Sequence, residues 1–133
     1  MTVAATKENW TVVMEAIEEF LDSINCPLKA KFQILTASEE IYVNIASYAY
    51  VGKTGEADIE LGFDEAAGVV SISFADSGVP YNPLEKEDAD TTLSAEERKI
   101  GGLGILMVKK SMDDIKYEYS GEKNHLQLIK KCC

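Results

Sequence analysis

The stretch KIGGLGILMVKK, from Lys99 to Lys110, constrains the fold more than any other part of the chain. Gly101, Gly102 and Gly104 crowd the entrance of what reads as an amphipathic helix. Glycine costs roughly 0.5–1 kcal/mol against alanine in regular structure, so such a cluster marks a geometric need. One such need is close approach of the backbone to a ligand, with the unpaired N–H groups of a helix N-terminus turned toward an anion. A glycine-rich hinge would use the same residues, and on this stretch alone both readings stand.

The flanking pattern says what the glycines connect. Thr2–Ala5 reads as a short strand. Lys7–Ile24 reads as a helix with Trp10, Val13, Ile17, Phe20 and Leu21 at helical spacing, broken at Asn25–Pro27. A second helix is expected over Leu28–Tyr48, with Phe32, Leu35, Ile41, Ile45 and Tyr48 as its apolar stripe. Past the turn VGKTGE, the runs ADIELGFDE and VVSISFAD alternate apolar and polar residues as a hairpin does. From Ser77 to Gly102, ~26 residues carry Pro80, Pro83 and many acidic groups but no period. Structureless connections longer than about 12–15 residues tend to be lids or binding loops. The glycine-led helix then runs to about Met112, and the strands DIKYEYS and NHLQLIKK follow, joined by GEK. This order, β-α-α-β-β-loop-α-β-β, implies an α+β fold: a two-layer α/β sandwich with helices on one face of a mostly antiparallel sheet. At 133 residues, one domain over 1–133 is expected.

Composition narrows the partners. A net charge of −10 argues against direct nucleic-acid binding, which relies on Lys and Arg to displace phosphate counterions. A phosphate bound here would need a cation or oriented backbone dipoles. No apolar run approaches the ~20 residues of a membrane span, and MTVAATKENW lacks a signal peptide's apolar stretch, so no membrane and a cytoplasmic address are expected. Cys26, Cys132 and Cys133 form neither a disulfide framework nor a metal-ligand spacing. Cys26 is expected in or beside the core, and the terminal pair as a tail.

Two more clusters carry chemistry. In SEEIYVNIASYAY, Glu40 and Asn44 stand four apart and so share a helix face. They flank the apolar stripe, which sets them at the rim of a cleft, where a carboxylate and an amide oxygen can orient a hydroxyl and hold a hard cation. A solvated polar pair has the same spacing. In FADSGVPYNPL, Asp76 ends an apolar strand with Gly78 and Pro80 close behind. Such a carboxylate can accept from an exocyclic amine while the glycine admits a flat ring, although D-S-G-x-P is also good turn chemistry. The glycine cluster itself is neither a Walker A loop, lacking the Lys-Ser/Thr, nor a dinucleotide fingerprint, which follows a strand directly.

In this order and at these distances the three clusters resemble the N box and the first and second glycine boxes of the Bergerat (GHKL) ATP-binding fold. Gyrase-type ATPases, histidine kinases and MutL proteins share that fold. Within it, the chain is similar to the anti-sigma-factor serine/threonine kinases of the RsbW type. SEEIYVNIASYAY is similar to their N box, and DSGVPYNPL resembles their D-x-G-x-P-F-[DN]-P. ERKIGGLGILMVKKSMDDIKYEYSGEKNHLQLIKK is similar to their C-terminal half, so the resemblance covers essentially the whole chain.

The resemblance implies ATP and Mg²⁺ as cofactors. It makes Asn44 the Mg²⁺ ligand, Glu40 the general base, Asp76 the partner of the adenine amino group, and Gly78 the residue that lets the base approach. The backbone of Gly101, Gly102, Leu103, Gly104 and Ile105 would hold the phosphates. Residues 77–101 would form a lid, in which Arg98 reaches a phosphate or a partner's acidic group. The implied reaction moves the γ-phosphoryl of ATP to a serine of an anti-anti-sigma factor, a STAS-like protein of small α/β fold. The same chain would alternatively sequester a sigma factor, and would do so as a homodimer. Tyr48-Ala49-Tyr50 stands where these kinases often have His-Ala-Tyr, and Gln127 stands near the place of a last-strand Thr that helps fix the adenine. The alternatives are a catalytically silent ATP-sensing binding module, a phosphatase-associated regulatory domain, and a sandwich with no nucleotide site.

Overall fold

The computed structural model describes residues 1–50, 53–82 and 102–132. Strand β1 (Thr2–Ala4) leads through a 3-10 turn (Lys7–Asn9) into helix α1 (Trp10–Ser23). Helix α2 (Leu28–Asn44) ends in a π-helical turn (Ile45–Ala49). Then come β2 (Glu56–Asp64), β3 (Val69–Asp76), α3 (Gly102–Ser111), β4 (Asp114–Ser120) and β5 (Lys123–Lys131). The strands form one five-stranded sheet in the order β1-β2-β3-β5-β4. Every neighbouring pair is antiparallel. The expected α+β architecture is the observed one.

The core lies between the sheet and the helices. Ile59 of β2, Ile72 and Phe74 of β3, and Leu126 and Leu128 of β5 point inward at period two. They meet Val13, Ile17 and Leu21 of α1, Ile34 and Tyr42 of α2, and Val108 of α3. Val13, Ile17 and Leu21 recur every fourth residue and are fully buried, which is why α1 forms and where it docks. Helix α1 stops because Asn25 takes φ 56°, so that the N–H of Cys26 reaches Leu21 O (3.0 Å) and that of Asn25 reaches Asp22 O (3.1 Å). This is a Schellman end with Asn in the left-handed position that glycine usually fills. Among the described residues no helix is long and apolar enough to cross a membrane.

The structure corrects part of the expected apolar stripe of α2. The stripe buries Ala30, Ile34, Ala37, Ser38, Ile41 and Tyr42. Phe32 is 59% exposed and Tyr48 46% exposed, while Leu35 and Ile45 only flank the core. The buried face carries small side chains, Ala30, Ala37 and Ser38, which let the helix lie close to its neighbours. Of the expected stripe Ile41 is buried as read, Leu35 and Ile45 pack at its margin, and Phe32 and Tyr48 fall outside it.

Cys132 is a second correction. It is buried, and its N–H bonds Gly68 O at 3.0 Å, so it closes the core at the β2–β3 turn instead of trailing as a tail. Cys133 lies outside the described residues, while Cys26 packs beside the core as expected.

Candidate functional site

Glu40 and Asn44 lie one turn apart on the last turns of α2, both half-buried. Asn44 Nδ2 donates to Glu40 Oε1 at 3.3 Å. That bond turns the amide nitrogen toward the carboxylate and leaves Asn44 Oδ1 with no hydrogen bond among the described residues. Directly after Asn44 the helix widens into the π-helical turn Ile45–Ala49, a distortion that recurs at functional sites. Through it the chain presents Ala49 O to the β3 end, where the N–H of Val79 donates to it at 3.1 Å.

Asp76 is the last inward-pointing residue of β3 and is 94% buried, in line with Val70, Ile72 and Phe74. Its Oδ1 accepts from the N–H of Gly78 (2.9 Å) and from Asn124 Nδ2 (3.0 Å). Both of these bonds fall on Oδ1. Gly78 owes its lack of a side chain to the π-turn: a Cβ there would lie 2.3 Å from Ala49 O. Tyr50 braces the same corner from the outside. Its hydroxyl donates to Glu56 O (2.7 Å) and accepts from the N–H of Ser77 (2.8 Å).

Asn124 is the site residue that sequence reasoning missed. Strand pairing sets it directly opposite Asp76, whereas Gln127 faces Ser73. Gln127 Nε2 donates to Ser73 Oγ (3.3 Å) among residues that alternate with the buried set, so it lies on the sheet's outer face, away from Asp76. The expectation for Gln127 is thus corrected by a shift of three residues, and an odd shift changes the face. The signal was present in the β2–β3–β5 alternation but needed the register to be read.

Asp76 and Asn44 open onto one cavity, walled also by Ile41, Tyr48, Tyr81 and Asn124. Its volume is ≈ 50 Å³, room for a little water. Ligand pockets usually measure about 300–1,000 Å³, so the base that the sequence resemblance implies is larger than this cavity as it stands. The 46%-exposed Tyr48 and 39%-exposed Tyr81 are the rings in its wall with most freedom to move. Glu40 faces a second space, a groove of ≈ 470 Å³ between α2 and α3 that Phe32 and Met107 flank. The Glu40–Asn44 hydrogen bond therefore joins two adjoining spaces.

Helix α3 begins at Gly102, so Gly102, Leu103, Gly104 and Ile105 make its first turn, where N–H groups lack intrahelical acceptors. Gly101 and Arg98, and most of the 77–101 segment, lie outside the described residues. No cluster of three or more His, Cys, Asp or Glu side chains able to hold a metal occurs among the described residues. A Mg²⁺ ion commonly takes only one or two protein oxygens besides phosphates and water. Asn44 Oδ1, with no hydrogen bond among the described residues, fits that minimal demand.

Residues 3–130 match the model of the histidine kinase-like ATPase domain. The chain is also similar to the serine/threonine-protein kinase BtrW of Bordetella bronchiseptica, 26% identical over 100 residues that span 75% of this chain and 70% of that protein. With the family model covering nearly the whole described sheet and the three described helices, the chain belongs to the histidine kinase-like ATPase domain family.

Proposed function

We propose that the chain is an ATP-dependent protein serine/threonine kinase of a partner-switching system. One observation carries this reading. A buried carboxylate at a strand end and the amide of the helical Glu-x-x-x-Asn pair share a single cavity, in a chain of an ATPase-domain family. Asp76 accepts the exocyclic amine of adenine on Oδ2, its Oδ1 being held by Gly78 and Asn124. Asn44 Oδ1 supplies the protein oxygen for Mg²⁺, which when bound neutralises phosphate charge that this acidic chain cannot. The first-turn N–H groups of α3 add backbone dipoles for the phosphates.

Glu40 is the general base. It is within hydrogen-bond reach of Asn44, and it faces the α2–α3 groove from which a hydroxyl can approach. It takes the proton of the attacking serine as the γ-phosphoryl transfers. The similarity to a serine/threonine-protein kinase supports the reaction type. The resemblance to RsbW-type kinases supports the partners: a STAS-like anti-anti-sigma factor as substrate, a sigma factor as the alternative partner, and a homodimer as the acting form. Arg98 and Gly101 belong to the proposed lid over the phosphates.

The test is transfer from γ-labelled ATP, with Mg²⁺, to proteins captured on the immobilised chain. The expected result is serine-bound label for the wild type, and ATP binding without label for Glu40→Ala. Equal labelling by the two would remove Glu40 as base. Unchanged ATP and partner binding with no label from either would favour the silent ATP-sensing module.

A further inference from the structure

The groove of ≈ 470 Å³ between α2 and α3 is walled by two large apolar side chains that the core does not use. Phe32 and Met107 are each more than half exposed, whereas Ala37 and Val108, which line the same groove, are buried and form its floor. Single exposed apolar residues are ordinary, but two that converge on one hollow suit the side chain of a partner. The groove also has a chemical end. Phe32, Thr36 and Glu40 stand four residues apart in turn along α2, and all three line it. They make one stripe on the helix. At about 1.5 Å of rise per residue, Phe32 lies ~12 Å from Glu40 along the axis.

Glu40 says what occupies the groove. The nucleotide is assigned to the cavity on the Asn44 side of the Glu40–Asn44 hydrogen bond, so the space on the other side is left for whatever brings the hydroxyl. An extended chain advances about 3.3 Å per residue and returns to the same face every second residue. Four residues then cover ~13 Å and face the same way as the first, which matches the distance from Glu40 to Phe32. Lys110, one turn on from Met107, lines the same groove and suits a neutral or acidic neighbour better than a basic one. We propose that Phe32 and Met107 select the acceptor protein, by holding a bulky apolar side chain about four residues from its serine in an extended segment. This inference rests on Glu40 as the general base and deepens that reading, because it names what the acceptor must carry.

The probe is a library of synthetic peptides with one fixed serine and each flanking position varied in turn. Retention on the immobilised full chain is read with Mg²⁺ and a non-hydrolysable ATP analogue, and transfer is read with γ-labelled ATP. Wild type, Phe32→Leu, Glu40→Ala, and Phe32→Ala combined with Met107→Ala are compared, each with a melting curve and a sedimentation run. Burying one large apolar side chain supports an enrichment of about tenfold or more. The expected result is that wild type and Phe32→Leu enrich Leu, Phe or Met about four residues from the serine. The double variant loses that enrichment at unchanged ATP affinity and melting temperature, and Glu40→Ala keeps the enrichment but transfers no label. No enrichment by wild type, or equal enrichment by the double variant, would overturn the docking role while leaving any transfer of label intact. Conversion of a dimer to a monomer by the double variant would give the groove to a second copy of the chain, and would overturn the proposal as well. If wild type retains the enriched peptides but labels none of them, the kinase reading fails, and the acceptor assignment with it.

Discussion

At the scale of single residues, buried groups divide into those the proposed site uses and those that only pack. Ser38 is fully buried in α2, and its Oγ has no hydrogen-bond partner among the described residues. Nothing in the proposed chemistry uses it, so Ser38→Ala removes only an unsatisfied hydroxyl. It is expected to stabilise the protein by about 1 kcal/mol, read as a higher denaturant midpoint at unchanged slope. Gly78 is the opposite case, because the backbone oxygen of Ala49 already occupies the space of its missing Cβ. Gly78→Ala forces the π-turn and the β3 end apart, and should cost roughly 1–3 kcal/mol in thermal or chemical unfolding. A neutral Gly78→Ala would contradict the close contact between this position and Ala49 O. The motif residues Glu40, Asn44, Asp76 and Gly78 were legible in sequence because their spacing is local. Asn124 was not, since its role exists only through pairing with a strand 48 residues away.

At the scale of elements, strands were more legible than the face of α2. Alternation at period two places Ile72 and Phe74 inward without ambiguity, and the hairpins follow from their turns. The β4–β5 turn is a two-residue loop with φ 58° at Gly121 and 60° at Glu122, the geometry of a type I′ turn. Glu122 is ill suited to that conformation, and Asn-Gly is the favoured pair. Replacing both residues, Gly121→Asn with Glu122→Gly, should stabilise by about 0.5–1 kcal/mol in equilibrium unfolding while leaving nucleotide binding unchanged. A loss of stability would contradict a type I′ turn at Gly121 and Glu122. Helix α2 misled because hydrophobic size and hydrophobic position diverge there: Phe32 is outside while Ala37 and Ser38 are inside. Accordingly Ile34→Ala should cost about 2–5 kcal/mol and Phe32→Ala far less. The π-turn had no sequence signal, because widening of a helix depends on what its end must reach.

At the scale of the whole molecule, the antiparallel sheet carries helices and core on one face and polar side chains on the other. Asp58 belongs to the polar face. Its carboxyl is held below its ordinary value, chiefly by the Thr2 hydroxyl of β1 and then by Lys123 of β5, against an opposing desolvation. A depressed carboxyl favours the fold while ionised, so its contribution is present above about pH 4 and is lost as pH falls through the folded value. Thr2→Ala should therefore be less stable than wild type near neutral pH, with the gap closing toward about pH 3. A gap constant across that range would contradict the coupling. The net charge of −10 bears on the proposed function as well, which assigns phosphate neutralisation to Mg²⁺ and backbone dipoles instead of basic side chains. The central claim is that Asp76 and Asn44 are the two ends of one nucleotide site. Calorimetric titration with ATP, with and without Mg²⁺, on wild type and Asp76→Asn tests it most directly. The expected result is saturable, Mg²⁺-dependent binding that Asp76→Asn loses. No binding up to millimolar ATP, or equal binding by the variant, would contradict it.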